Sequence, residues 1–261
     1  MELGLKGKVA LVTGAGSQTG FGKGIATTLA GEGCDVIILD KDLEGAEKTA
    51  AEIEAAGRKA LPLKVDLTRS AEVNQAVEKA LEKFGRIDIL VNNAGMSTPP
   101  KPFAEKTEAE WDPDIDINFR SVLICTRAVL PQMLERKKGK IINISSGVGT
   151  MGLANSSIYS AAKAGVMAFT KALAKEVIGS GINVNSVSPG LGDTGFLRSS
   201  GLLKTAETPP EFTSMASADI PAGRMTTPQD IGNMVAFLVS DVSSDIVGQI
   251  FDVDGGKIIK F

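Results

Sequence analysis

The sequence predicts an α/β fold: a single domain with a doubly wound parallel sheet of about seven strands and helices on both faces. Two observations carry this. Short β-type runs alternate with helical segments along the chain, the order that right-handed crossovers impose on a parallel sheet. The strand segments are mostly unbroken apolar runs, as burial on both faces requires. In chain order they fall at 8–13 (KVALVT), 35–40 (DVIILD), 59–65, 88–93, 140–145, 182–188 and 249–254. Between them, 21–31, 43–56, 70–84, 115–136, 157–179 and 228–240 carry apolar residues at helical spacing with charges on the other face, and are read as covering helices. No linker, composition shift or internal repeat divides the chain, so residues 1–261 read as one domain. The longest irregular stretch, about 190–220, is rich in glycine and proline and is expected to cover a substrate.

Composition narrows the chemistry. With 43% hydrophobic and 23% charged residues the chain reads as an ordinary globular protein. A net charge of −3 offers no basic footprint, so nucleic acid is not an expected partner. No apolar run approaches the ~20 residues of a membrane span and no cleavable leader is evident, so a cytoplasmic, non-membrane protein is expected. Cys34 and Cys125 stand far apart in apolar surroundings and read as buried, inert thiols. The chain has no histidine, which excludes Ser-His-Asp and Cys-His catalysis and removes the commonest zinc ligand, and no metal is expected. Tyrosine, lysine, serine, asparagine and carboxylates are left to do the work.

The first strand runs into Thr13-Gly14-Ala15-Gly16-Ser17-Gln18-Thr19-Gly20-Phe21-Gly22 and then a helix. Glycines therefore sit where the backbone must turn tightly and meet a pyrophosphate at a helix N-terminus, the phosphate turn of a Rossmann domain. Gly14, Ser17, Thr19, Gly20, Phe21 and Gly22 are the candidate contacts. The second strand ends at Asp40, about 20 residues further on, where a carboxylate accepts from ribose hydroxyls and favours NAD. Lys41 beside it is the group that would admit the 2′-phosphate of NADP.

YSAAK at 159–163 places Tyr159 and Lys163 four apart, on one helix face. A phenol with a pKa near ~10 is a poor base at neutral pH, and a neighbouring cation favours the phenolate. Tyr159 is the only tyrosine, so no rival phenol exists.

The glycine turn, NNAG at 92–95, INISS at 142–146 and YSAAK together resemble the short-chain dehydrogenase/reductase family over nearly the whole chain. The resemblance implies that Tyr159 is the general acid/base, that Lys163 lowers its pKa and holds the nicotinamide ribose, and that Ser146, thirteen residues before Tyr159, orients the substrate oxygen. It gives Asn118 a water-based proton relay and makes Asp66 and Leu67 adenine contacts. Asn93, Ala94 and Gly95 would pack under the cofactor, and Pro189, Gly190 and Thr194 would meet the nicotinamide end. It also suggests a homotetramer through the helices near 115–136 and 157–179. Two departures stand out: Gly14 and Gly20 lie two residues further apart than the family pattern, and Gly192 replaces a branched apolar residue expected to loosen the cofactor pocket.

The implied reaction interconverts a small-molecule secondary alcohol and ketone with NAD, leaning toward oxidation. Met96, Val148, Met151, Leu153, Leu191, Phe196, Leu202, Leu203 and Met215 are expected to line an apolar pocket. Arg198 and Lys204 lie in the loop expected to cover the substrate and read as solvated loop charges, the alternative being contact with the phosphates of a thioester carrier. The alternatives are an NADP-dependent 3-oxoacyl-thioester reductase, acting on an acyl-carrier-protein or CoA ester, and a non-catalytic nucleotide sensor.

Overall fold

Alternate side chains of the first strand point to opposite sides of the sheet, and each side has its own core. The computed structural model describes residues 2–203 and 208–259. In chain order its main elements are β1 (Val9–Thr13), α1 (Phe21–Gly31), β2 (Asp35–Asp40), α2 (Leu43–Ala55), β3 (Ala60–Lys64), α3 (Ser70–Phe84), β4 (Ile89–Asn92), α4 (Asp112–Ile115), α5 (Ser121–Arg136), β5 (Gly139–Ile144), α6 (Val148–Met151), α7 (Ser157–Val177), β6 (Ile182–Pro189), α8 (Gly195–Ser199), α9 (Pro210–Ala218), α10 (Pro228–Val239) and β7 (Ile250–Val253). Ala10, Val12, Val36 and Ile38 join the core under α1, α2 and α10, with Ile25, Leu29, Ile53, Ile231 and Val235. Val9, Leu11, Ile37 and Leu39 join the core under α3, α5 and α7, with Val73, Val129, Met133 and Leu173.

All seven strands are parallel, in the order β3-β2-β1-β4-β5-β6-β7. The chain winds outward from β1 to β3, returns to β4 beside β1, and winds outward the other way. The order reverses at the carboxyl ends of β1 and β4, the place where open α/β sheets bind ligands.

The structure departs from the sequence expectations in two segments. The 190–220 stretch is not wholly irregular, because α8 and α9 lie within it. Pro210 occupies the first turn of α9, where its missing N–H costs nothing. The expected helix 115–136 begins earlier and is interrupted: a π-helical turn, Asp116–Arg120, separates α4 from α5, and the Ser121 N–H reaches back to the Asp116 carbonyl. Cys34 and Cys125 are both buried, and burial pushes each thiol up to about 12. Among the described residues no helix is long and apolar enough to cross a membrane.

Candidate active site

The glycine turn after β1 is held by backbone contact. Gly14 has φ +70°, and a Cβ there would lie 2.7 Å from Ala94 Cα. A Cβ on Gly22 would lie 2.1 Å from the Gly14 carbonyl oxygen, so only glycine lets α1 press so closely on the end of β1. Asn93 braces the turn from β4: its Nδ2 donates to Thr13 O (2.9 Å) and Gly14 O (3.0 Å), while the Asn93 and Ala94 amides donate to Thr13 Oγ1. At the start of α1, Gly20 supplies no side-chain cap and no acid stands in the first turn. The positive end of that helix dipole therefore faces Ser17 and Thr19 with an anion's place before it.

The two additional residues lengthen the turn toward α2. Gln18 Nε2 donates to Gly16 O (2.9 Å) and Gly45 O (3.0 Å), and its Oε1 accepts from Lys23, which also pairs with Glu52. Thr49 Oγ1 donates to Ala15 O at 2.8 Å. Gln18, Thr13 and Thr49 were not singled out from the sequence, because their partners lie on other elements.

Asp40 accepts from the Gly16 N–H (2.7 Å) on one oxygen and from the Asp42 N–H (2.9 Å) on the other, so its carboxylate is fixed at the rim of the turn beside exposed Lys41. At the end of β3, Leu67 is buried, and Asp66 accepts from the Thr68 N–H and hydroxyl. Those bonds hold the Asp66 carboxyl below its usual range.

Tyr159 and Lys163 lie together on α7, 8% and 4% exposed. Ser146, at the end of β5, faces the Tyr159 hydroxyl and favours its ionised form. Its neighbour Ser145 turns the other way, donating to Val187 O and accepting from the Ser186 hydroxyl. Lys163 Nζ donates to Ile144 O at 3.0 Å and stands 5.9 Å from the Tyr159 ring centre. Phe196 of α8 packs tilted on that ring, centre to centre 5.6 Å. Burial pushes the Tyr159 phenol up to about 12, with Ser146 pulling down and the Asp114 charge adding to the rise. Burial also brings the Lys163 ammonium down to about 8. Desolvation dominates the phenol, and Lys163 is not among the groups that shift it.

Asn118 is fully buried in the π turn. Its Nδ2 donates to Met96 O (2.7 Å) and Asp114 O (2.8 Å), and its Oδ1 accepts from Met96 N–H (3.2 Å). The side chain thus holds the Met96 backbone and does not reach out to solvent. A Cβ on Gly95 would lie 3.0 Å from Asn118 Oδ1 and 3.3 Å from Lys163 Nζ, so Gly95 is where the two approach.

The segment after β6 closes the site. Gly190 N–H donates to Val253 O, and a Cβ there would lie 2.7 Å from Asp254 Cα, which seats Pro189-Gly190 against the end of β7. Thr194 is buried and caps α8 by accepting from the Phe196 N–H. Gly192 does not loosen the pocket as expected: a Cβ there would lie 2.5 Å from Phe21 Cζ, because the Phe21 ring fills that space. Phe21 at the start of α1 thus takes the room that a side chain at 192 would need. Gly192→Ile is therefore expected to weaken cofactor binding and to cost about 1–3 kcal/mol of stability by overpacking. Adding Phe21→Ala should recover part of both, as read by cofactor titration and thermal unfolding; a double variant no better than the single would refute the pairing.

Arg198 is taken up within the loop, donating to Thr194 O and Thr208 Oγ1 and lying 4.0 Å from Asp193. It is not held out toward a carrier phosphate, and Lys204 lies outside the described residues. Met151, Leu153, Leu191, Leu202 and Met215 are exposed, while Leu203 is buried.

Comparison with known proteins places this geometry. The family model for short chain dehydrogenases matches residues 8–202. The chain is 38% identical to 3-oxoacyl-(acyl-carrier-protein) reductase of Thermotoga maritima, over 98% of this chain and 99% of the relative. It is 39% identical to cis-4-hydroxycyclohexanecarboxylate dehydrogenase of Sinomonas cyclohexanicum, over 95% and 96%. The crystal structure of 3-ketoacyl-(acyl-carrier-protein) reductase from Brucella melitensis complexed with NADH superimposes with a TM-score of 0.89 at 38% identity, covering 98% of this chain and 100% of that one.

Proposed function

The chain belongs to the short-chain dehydrogenase family, an oxidoreductase acting on CH–OH with a nicotinamide cofactor, and we propose that its reaction is reduction of the ketone of a 3-oxoacyl thioester. The observation that carries the chemistry is the buried Tyr159, facing Ser146 and one helical turn from Lys163, at the end of the sheet where the glycine turn opens. Support for the thioester comes from the 38% identity to a 3-oxoacyl-(acyl-carrier-protein) reductase over nearly the whole chain.

The residues present fit a nicotinamide dinucleotide. The uncapped start of α1 takes the pyrophosphate, Asp40 the adenosine ribose, Asp66 and Leu67 the adenine, and Lys163 the nicotinamide ribose. Gly95 and Pro189-Gly190 shape the floor, and Thr194, whose hydroxyl proton remains to be donated, meets the carboxamide. When bound, the nicotinamide supplies the hydride to the carbonyl carbon. Tyr159 gives its phenolic proton to the carbonyl oxygen, Ser146 hydrogen-bonds that oxygen as charge develops, and Asn118 keeps Met96 and Gly95 in place beside Lys163. The assembly we propose is a homotetramer through α5 and α7, and a monomer mass by light scattering would contradict it.

The identity to an alicyclic alcohol dehydrogenase favours a second reading, oxidation of a secondary alcohol such as a hydroxycycloalkane carboxylate. Rates on acetoacetyl-CoA and on 4-oxocyclohexanecarboxylate, each with NADH and NADPH, separate the two, and a strong preference for the cyclic ketone would reverse our choice.

NAD is expected to be preferred. The Asp40 carboxylate is pinned by two backbone amides and cannot swing away from a 2′-phosphate, and Lys41 offers the competing attraction. A like-charge penalty of ~1–3 kcal/mol near a surface gives roughly tenfold to a hundredfold discrimination in kcat/KM. Asp40→Ser should narrow it, whereas a wild-type preference for NADP would overturn the role of Asp40.

A further inference from the structure

Between β4 and α5, Thr98, Lys106 and Asp114 form a largely buried polar chain that the reaction as described does not use. Asp114, 1% exposed on α4, accepts from the Thr98 N–H (2.9 Å) on one oxygen and from the Thr98 hydroxyl (2.7 Å) on the other. Lys106, 9% exposed, donates to Thr98 Oγ1 at 2.8 Å. The Asp114 backbone carbonyl accepts from Asn118 Nδ2, and Asn118 holds Met96. The four residues after NNA, from Gly95 to Thr98, are thereby tied at both ends to the helical turn that carries Asn118. At Gly95 this segment touches the space of Lys163 Nζ.

We propose that Asp114 is a positioning residue of this site: its buried carboxylate clamps residues 95–98 onto the Asn118 turn and holds a fixed negative charge within electrostatic reach of Tyr159. A carboxylate with both oxygens occupied and almost no exposure stays only if its bonds and charge are compensated, and Lys106 supplies that compensation through Thr98. The groups around the Tyr159 phenol come from four elements. Lys163 lies on its own helix, Ser146 follows β5, Phe196 packs from α8, and Asp114 acts from α4. Asp114 opposes ionisation of the phenol, in the same direction as burial. Lys106 tempers that charge from the far side of Thr98.

This inference rests on the proposed role of Tyr159 only for its effect on turnover. Because Tyr159 is the single tyrosine, tyrosinate absorbance of the cofactor-free protein reads its ionisation directly, with no assay of activity. Asp114→Asn, which keeps the size and one acceptor, is expected to raise tyrosinate at pH 10 about tenfold, a shift of about one pH unit. Lys106→Met is expected to lower it, and both variants should lose about tenfold in kcat while binding cofactor normally. Opposite shifts are a signature that loosened packing would not produce. Unchanged tyrosinate in both variants, or equal shifts in the same direction, overturns the proposal whatever happens to kcat. If Asp114→Asn does not fold, the Lys106→Met shift alone decides. Full turnover in Tyr159→Phe would remove the parent mechanism and leave the titration result standing.

Discussion

Tyr159→Phe is expected to bind cofactor as the wild type does and to lose ~10²- to 10⁴-fold in kcat, the contribution of one positioned acid/base. The ring is retained, so its packing on Phe196 and the buried wall of α7 survive, and loss of the hydroxyl costs only about 1 kcal/mol. The change thus separates chemistry from folding. Burial holds the phenol near 12, so at neutral pH it is a protonated donor, ready for a ketone oxygen. Oxidation of an alcohol needs the rarer phenolate, whose fraction rises tenfold per pH unit. Wild-type kcat/KM for reduction should therefore stay flat from pH 6 to 8 while that for oxidation climbs about tenfold per unit. This runs against the oxidative lean drawn from the NAD-type Asp40. Near wild-type kcat in Tyr159→Phe, with cofactor affinity intact by NADH fluorescence titration, would sink the mechanism.

What the sequence showed and what it hid follow from the range of the interactions. YSAAK and the glycine turn are legible because each acts within one turn or one crossover, where spacing alone fixes which side chains share a face. Two-sided burial of the strands is legible in their unbroken apolar runs, and β1 and β2 divide their residues between two cores accordingly. The meaning of Gly192 was hidden although the residue itself was noticed, because the ring that fills its space, Phe21, lies at the start of α1. Asp114, Thr98 and Lys106 form no local pattern; only the packing of α4 beside the end of β4 joins them. Pro209 and Pro210 read as a break, yet a proline in the first turn starts α9. The bonds of Arg198 were hidden too, because Thr208, one of its partners, lies ten residues on in the same loop.

Lys163→Met is expected to stabilise the cofactor-free protein while cutting turnover roughly 10²-fold or more, the loss seen when one aimed electrostatic group is removed. The ammonium sits 4% exposed on α7, and burial lowers it from 10.5 to about 8. At ~1.4 kcal/mol for each factor of ten, keeping the charge there costs about 3 kcal/mol. Methionine fills similar space without a charge and gives up one bond to Ile144 O, about 1 kcal/mol. The variant should then be about 2 kcal/mol more stable at pH 7, which raises Tm by several degrees in a protein of this size. The sign with pH follows from proton binding. Between pH 8 and 10.5 the unfolded lysine still holds a proton that the folded one has released, so the wild type gains stability as pH rises through that window. The advantage of the variant is therefore largest below pH 8 and fades toward pH 10.5, and thermal unfolding of both proteins at pH 7 and pH 10 measures it. A variant less stable at pH 7, or an advantage equal at both pH values, would show that the ammonium is not held at such a cost. The same charge ties stability to function: wild-type reduction should fall above pH 8 as Lys163 loses its proton, and Lys163→Met, with no proton to lose, should show a low rate without that fall.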